Sequence, residues 1–373
     1  MLLLCGCGEV MEQLGGLIPE ELLQEPATEP YVPDPDVIPH RRDRVLLKQL
    51  EDELYANACM IYECAMNFEE ECVFPYPMDA DDLSQIFTLV RYECPELLQL
   101  DYTQSITYTT QDDQVVRMTL PLGMSKREYN QALEACQEII AGLVEESYGM
   151  TDKEMERLVY EYITDNCTYT TETQRAGSAY GCLVEGKAKC DGISYATKWI
   201  LEEMGLRCFI LSGEPVSGPV GHAWNVVEID GEYMDLDVTA DVNREDEDHT
   251  KLYAAYNVDS SWIRDLYIID EAYTRNMNLP GVDTMEYSFY ALEGCYMERR
   301  QEPELESLFL AAYEDNGTIA LQFERDSDFA DFCETLGDQI DTIARDNQLP
   351  GYRWQSLTAD EYRTILITVG ENS

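Results

Sequence analysis

Apolar residues recur every three or four positions along three stretches of the first 170 residues, which predicts helices. The predicted helices lie at about 43–61, at 126–148 and at 152–167. Between the first two, 105–110 and 114–120 alternate polar and apolar residues around Asp112-Asp113, a pattern typical of a β-hairpin. Residues 46–150 are therefore predicted to form a small α+β lead-in domain.

The pattern in the next part of the chain predicts one helix followed by three strands. Ile193, Ala196, Ile200 and Met204 recur at helical spacing, and Gly205 suits the residue that ends such a helix. The predicted strands cover 207–212, 222–229 and 233–238. The last two are joined by Asp230-Gly231, a strong signal for a tight two-residue turn.

That turn sets a testable register for the hairpin. It pairs Ile229 with Glu232, and continuing the ladder places Trp224 opposite Asp237. His222 and Asp237 then become diagonal neighbours on one face, roughly 7–8 Å apart between their backbones. A slip of one residue would put them on opposite faces of the sheet.

Beyond residue 285, the pattern predicts a small C-terminal α+β module over 286–373. Its predicted order is strand, strand, helix, strand, at 308–313, 319–323, 329–347 and 362–369. With the lead-in domain at 46–150 and a domain at 151–285 between the two, the chain is predicted to be an α+β protein.

Composition narrows the classes of partner. The chain has 373 residues, 45% of them hydrophobic, enough for a sizeable core, and a net charge of −49. So acidic a surface repels phosphate backbones, which argues against nucleic acid as a partner. No stretch approaches the roughly 18 apolar residues of a membrane span.

The N-terminus suggests attachment to a membrane through a lipid anchor instead of a membrane-spanning helix. Residues 1–8 read Met-Leu-Leu-Leu-Cys-Gly-Cys-Gly, which is similar to the end of a bacterial lipoprotein signal, although the charged start and longer apolar run are missing. Residues 9–45 are acidic and rich in proline, as in an extended tether. We therefore expect an extracytoplasmic protein anchored by lipid at Cys7; chance resemblance and a cytoplasmic location are the alternative.

The thirteen cysteines are not spaced as metal ligands. No Cys-x2-Cys pair occurs, which disfavours a structural zinc site, and Asp246 occupies the position where a calcium loop over 241–248 would need glycine. We predict no metal and no cofactor. A disulfide among Cys59, Cys64 and Cys72 remains open for an exported protein.

Candidate chemistry centres on Cys190, His222 and Asp237. A thiol nucleophile needs an imidazole to take its proton and a carboxylate to orient the imidazole. The chain has only three histidines, so few residues compete for the role of base. Cys190 opens the predicted helix, where unpaired backbone N–H groups and the helix dipole favour a thiolate and an oxyanion.

The motifs around these residues resemble the transglutaminase-like superfamily of cysteine enzymes. They are Ser178-Ala-Tyr-Gly181, Gly186…Cys190-Asp-Gly192, Gly221-His-Ala-Trp-Asn225 and Asp237-Val-Thr239. The resemblance implies a papain-like core, with Cys190 as nucleophile, His222 as base and Asp237 as third member. The chain departs from the family where Ala240 replaces a common tryptophan and Ile193 a common aromatic residue.

Three further residues are candidates for lining the cleft or for binding an oxyanion. Gly192 would let a substrate approach closely, while Tyr180 and Trp224 could also serve simply as core. Asp235 is an alternative to Asp237 as the acid of the triad.

The expected activity is acyl transfer from an amide of a protein or peptide, cell-wall peptide included, through a thioester. Hydrolysis is slightly favoured over amine crosslinking, because water is the default acceptor. The alternative is a cell-envelope module that keeps this fold for binding alone, without catalysis.

Overall fold

A computed structural model describes residues 33–34, 37–39, 44–101, 104–218, 220–242, 251–281, 283–298 and 303–371. The proposed lipoprotein signal, Cys7 and most of the acidic tether lie outside these residues, as does most of the 241–248 loop. In the part that is described, no helix is both long and apolar enough to cross a membrane.

The first part of the chain is a helical layer with a small antiparallel sheet. Its elements are α1 (Asp52–Asn67), β1 (Glu71–Met78), α2 (Ala80–Glu93), β2 (Thr107–Gln111), β3 (Gln114–Thr119) and α3 (Lys126–Glu146). The hairpin of β2 and β3 is confirmed, with Asp112 and Asp113 both at positive φ in its turn. The first predicted helix is interrupted: a short 3-10 helix at Leu47–Gln49 is followed by extended Leu50 before α1 begins.

The central part of the chain surrounds a four-stranded antiparallel sheet. Its elements are α4 (Asp152–Asn166), β4 (Thr168–Tyr169), α5 (Ala179–Leu183), β5 (Lys187–Ala188), α6 (Cys190–Glu203), β6 (Cys208–Pro215), β7 (His222–Ile229), β8 (Glu232–Leu236), α7 (Ser260–Leu266), β9 (Tyr267–Ile269) and α8 (Glu271–Thr274). The sheet order is β8-β7-β6-β9, with all neighbours antiparallel. The predicted α+β class is confirmed.

The predicted register of the β7–β8 hairpin is correct, but its length is not. Ile229 pairs with Glu232, and the ladder runs to Asn225 opposite Leu236. The strand stops there, so the predicted continuation to Trp224 opposite Asp237 does not form. Instead, the N–H of Asp237 donates to the carbonyl of Ala255, and a 3-10 helix follows at Val238–Asp241.

The C-terminal part has its own sheet and its own core. It contains α9 (Phe289–Leu292), β10 (Tyr296–Met297), α10 (Leu305–Asp315), β11 (Thr318–Phe323), α11 (Asp326–Asp346), β12 (Tyr352–Ala359) and β13 (Thr364–Glu371). The strand predicted at 308–313 is wrong, because this stretch lies within α10. Leu305, Phe309 and Ala312 are buried at helical spacing along α10.

Two hydrophobic cores organise the described residues. The larger contains side chains from both sides of residue 150, among them Ile86 of α2, Ile140 of α3 and Phe209 of β6. The smaller is made by residues between Met297 and Val369. The boundary at 150 therefore stays a prediction, since one core runs through both predicted domains.

Buried charges tie the lead-in segment to α6. Lys198 of α6 is fully buried, with Nζ 2.5 Å from Oε1 of Glu202 and 3.8 Å from Oε2 of Glu93, and it also donates to the carbonyl of Cys208. Arg44 is almost as deeply buried and lies 3.0 Å from Glu96 and 3.7 Å from Glu202 of α6. Such charges are tolerated in a protein interior only when they are paired.

Candidate active site

Cys190 is the first residue of α6, as the sequence predicts. Lys189 precedes it in extended conformation and makes no side-chain capping bond to the helix. The first intrahelical bond runs from the N–H of Ile193 to the carbonyl of Lys189, so the earlier N–H groups have no partner within the helix. The thiol therefore lies where the helix favours negative charge.

Two buried hydrogen bonds fasten α6 to β7. The hydroxyl of Ser194 donates to the carbonyl of Ala223 at 3.2 Å, and the side-chain amide of Asn225 donates to the carbonyl of Ser194 at 3.0 Å. Both side chains are about 1% exposed. Because His222 begins β7, these bonds fix the position of the imidazole relative to the helix that carries Cys190.

His222 bridges the thiol and the carboxylate. Its Nε2 lies 2.7 Å from Oδ2 of Asp237, and the imidazole also shares a hydrogen bond with the side chain of Cys190. Since Nε2 is engaged by Asp237, Nδ1 is the nitrogen left for the thiol. The other oxygen of Asp237 accepts the N–H of Thr239 at 3.1 Å, which fixes the buried carboxylate.

The electrostatics of the site favour a positive imidazole. Burial lowers the pKa of His222, but the charge and hydrogen bond of Asp237 and the neighbouring Cys190 outweigh it and raise the pKa from 6.5 to about 10. The ring is therefore an imidazolium at neutral pH. A positive imidazolium is the kind of partner that stabilises a thiolate.

A second ion group flanks the nucleophile. Asp191 follows Cys190 and lies 2.9 Å from Nζ of Lys189 and 3.1 Å from a guanidinium nitrogen of Arg91. Burial raises the pKa of Asp191, but the two cations more than offset this and lower it. Arg91 belongs to α2, so the lead-in segment reaches the surroundings of Cys190.

Trp224 packs on the imidazole and is held by Asp235. The indole lies 6.2 Å from the His222 ring in a stacked arrangement, and its N–H donates to Oδ1 of Asp235 at 2.7 Å. The other oxygen of Asp235 accepts the hydroxyl of Ser260 at 2.6 Å. The alternative acid of the hairpin thus anchors Trp224, whose only polar hydrogen is engaged, and Asp237 is the acid that contacts His222.

Tyr267 is a residue of the site for which the sequence offered no signal. Its ring stacks on His222 with centroids 5.0 Å apart and packs on Trp224 at 5.2 Å. It belongs to β9, which lies beside β6 because Gly213 leaves room: a Cβ there would come 2.5 Å from the carbonyl oxygen of Ile268. No motif near Tyr267 marks it, since its position depends on strand pairing.

The other two predicted residues lie on the helices around the nucleophile. Tyr180 is half-buried in α5, with the guanidinium of Arg175 4.7 Å above its ring. Gly192 is buried in the first turn of α6, and its missing side chain leaves room for backbone: a Cβ would lie 2.3 Å from the carbonyl oxygen of Ala176 and 2.8 Å from that of Ser178.

Gly192→Ala is expected to lower the free energy of unfolding by about 1–3 kcal/mol through overpacking and to displace Cys190. The matched control is Gly142→Ala in α3, where a Cβ meets nothing within 4 Å and stability should rise by about 0.5–1 kcal/mol. Chemical denaturation measures both variants. Equal effects of the two substitutions would contradict the packing explanation.

No group of histidine, cysteine and acidic side chains able to hold a metal ion occurs among the residues that the structure describes. Cys64 and Cys72 form no disulfide, and their thiols share a hydrogen bond.

Comparison with known proteins identifies the class to which this site belongs. Residues 141–238 match the family model of the transglutaminase-like superfamily, a stretch that contains Cys190, His222 and Asp237. The chain thus carries a transglutaminase-like domain, and the match supports a cysteine-based enzyme. No curated protein matches the chain.

Three solved structures are similar to parts of the chain. A structure described as a TGase is 12% identical, with 63% of this chain and 59% of that chain covered and a TM-score of 0.28. A candidate cysteine protease from Cytophaga hutchinsonii is 14% identical, covering 36% and 61%, with a TM-score of 0.24. A candidate protease from Parabacteroides distasonis is 9% identical, covering 38% and 34%, with a TM-score of 0.22. The chain spans less than two thirds of each of these proteins.

Proposed function

We propose that the protein catalyses thiol-dependent acyl transfer from an amide bond, with hydrolysis as the main outcome. The observation that carries the proposal is the hydrogen-bonded series of Cys190, His222 and Asp237, with 2.7 Å between the imidazole and the carboxylate. These three groups are the ones that a cysteine nucleophile needs, and Cys190 lies at a helix N-terminus.

The acylation step follows from the arrangement of charges. The Cys190 thiolate attacks the amide carbon, and the oxyanion that forms is stabilised by the N–H groups of the first turn of α6 that have no partner within the helix. As the tetrahedral intermediate collapses, the His222 imidazolium gives its proton to the departing amine. An acyl thioester on Cys190, a neutral imidazole and a free amine remain.

The deacylation step restores the site. Neutral His222 takes a proton from water, the resulting hydroxide attacks the thioester carbon, and the carboxylic acid leaves as the thiolate re-forms beside the imidazolium. An amine could replace water and give a new amide. We favour hydrolysis because water is present everywhere, whereas an amine acceptor needs a binding site of its own.

The substrate class that we propose is a protein or peptide, cell-wall peptides included if the protein is exported. Both the extracytoplasmic location and the lipid anchor at Cys7 remain proposals that the N-terminal sequence motivates.

Site-selective labelling tests the proposal. Cys190 is only 8% exposed, whereas Cys295 and Cys333 are more exposed, so among the cysteines that the structure describes a reagent that reacts by exposure alone would modify those two first. We expect a peptidyl acyloxymethyl ketone to label Cys190 first at neutral pH, as mapped by mass spectrometry. Labelling in order of exposure would favour the alternative of a binding module without catalysis.

Product analysis then separates the two outcomes. Glutamine-containing peptides incubated with the protein and an excess of a primary amine should yield mainly the hydrolysed product in mass spectra. Predominant amine incorporation would keep the acyl-transfer proposal and overturn the preference for hydrolysis.

A further inference from the structure

A cavity of about 560 Å³ lies beside the candidate active site, along β9. It is lined by all three residues of β9 and by Glu271, Thr274, Arg275, Asn276 and Leu279. Tyr267 connects the two sites, because the residue that lines this cavity also stacks on His222. Tyr267 is thus a residue shared by the cavity and the surroundings of the imidazole.

The backbone of β9 presents hydrogen-bonding groups to this cavity. Within the described part of the chain, β9 is the last strand of its sheet and pairs with β6 alone. The N–H of Asp270 donates to Ser212, and the N–H of Val216 donates to Leu266, so the even-numbered residues of this segment face β6. Because the pattern alternates in an antiparallel pair, the N–H and C=O of Ile269 and the C=O of Tyr267 face away from β6.

The surroundings of the cavity are acidic and partly apolar. Glu271 lines it, Asp270 adjoins it, Glu214 lies opposite Ile268 on β6, and Glu361 lies within electrostatic range of Tyr267. Its one lining cation, Arg275, is already 2.5 Å from Asp82. Ile268 is 65% exposed. The charge therefore complements a basic ligand.

We infer that the free edge of β9 binds an extended, basic segment of the peptide substrate as an added strand, with Glu271 selecting for positive charge. Strand addition of this kind uses backbone hydrogen bonds for affinity and alternate side chains for specificity. The inference rests on the proposed function, since it assigns a substrate to that site.

The distance between the edge of β9 and His222 determines which part of the substrate binds at β9. Strands are about 4.8 Å apart, so a peptide added to β9 would lie three spacings, about 14 Å, from the backbone of β7 and His222. About four extended residues, each about 3.3 Å long, span that gap. The β9 edge therefore holds residues remote from the reacting amide, and their binding contributes to positioning that amide.

Binding to the full-length Cys190→Ala protein tests the inference without turnover. The probe is a fluorescein-labelled peptide in which about four residues separate a glutamine from a segment of alternating lysine and valine. Its binding is measured by fluorescence anisotropy at low salt. A comparison peptide carries glutamate in place of lysine. We expect the lysine peptide to bind at least about tenfold more tightly and Glu271→Lys to remove this preference.

Two controls separate strand addition from general attraction to an acidic protein. Glu232→Lys makes the same charge change on β8, the opposite edge of the sheet, and should leave the preference intact. N-methylation of single peptide amides should weaken binding about three- to tenfold at alternate positions only, because every second amide faces β9.

Three results would each overturn the inference. They are equal affinity for the two peptides, equal effects of Glu271→Lys and Glu232→Lys on the preference, and a loss of affinity on N-methylation that does not alternate along the peptide. Wild-type labelling at Cys190 is independent of these results. If labelling succeeds and the peptides fail to bind as expected, the substrate assignment is wrong while the proposed chemistry stands.

Discussion

Asp237→Asn is expected to lower the rate of acyl transfer by on the order of 10⁴-fold, although the substituted side chain keeps its size. The carboxylate is the charge that keeps His222 positive, since it outweighs the effect of burial and raises the pKa of His222 to about 10. Without that charge, the pKa falls towards its ordinary value and less imidazolium is present, but the larger effect is that the imidazole is no longer held in the tautomer and orientation that the reaction needs. Cys190→Ala defines complete loss of activity.

The pH dependence has a definite sign. In the wild type, the imidazolium should persist until the pH approaches about 10, so the alkaline limb of kcat/KM should lie there; in Asp237→Asn it should move to lower pH. NMR titration of His222 measures the same shift directly. Because the folded-state pKa is raised above 6.5, the stability contributed by His222 is full below pH 6.5 and is lost as the pH rises to about 10.

Asp230→Asn is the matched control for this prediction. It makes the same chemical change in the turn of the same hairpin. Asp230 is exposed there, and among the ion pairs described its one partner is the exposed Lys153, at 2.9 Å. Activity and the titration of His222 should be unchanged. A similar loss in both variants would mean that the Asp237 carboxylate has no special role.

Lys198→Met is expected to lower the free energy of unfolding by about 3–5 kcal/mol at neutral pH. Lys198 is fully buried and is the cation nearest to the carboxylates of Glu93 and Glu202, so its removal leaves only the more distant Arg44 to offset the buried negative charge. Burial already raises the pKa of Glu93, and Lys198 opposes that rise. The loss should therefore shrink as the pH falls, because the carboxylates can then become neutral.

Denaturant unfolding at several pH values measures this effect. Lys153→Met serves as control, since Lys153 pairs with Asp230 on the surface and an exposed pair contributes at most about 1 kcal/mol. A loss for Lys198→Met that matched the control, or that did not change with pH, would show that the buried charges are not coupled as their geometry suggests.

Local signals in the sequence predicted much of the candidate site. The apolar spacing after Cys190 predicts α6, and the Asp230-Gly231 turn predicts a register that the structure confirms from Asn225 to Ile229. These features depend on residues close together in the chain. Where long-range contacts compete, local signals do not fix the structure: β8 ends before Asp237, because the Asp237 N–H bonds to Ala255 instead of continuing the ladder.

The strand predicted at 308–313 is wrong for a different reason. A short apolar run does not distinguish a strand from a buried helix. In α10 the apolar residues pack at helical spacing against the C-terminal sheet, and that sheet includes β12, a strand that was not predicted.

By itself, the sequence determined the chemical groups, their order along the chain and the local elements that carry them, because helix periodicity and turn type are properties of neighbouring residues. Only the tertiary structure decided which acid faces His222 and which one holds Trp224, and only it placed Tyr267 on the imidazole and Arg91 beside Asp191. Those choices depend on strand pairing and on packing between distant segments, which no local pattern encodes.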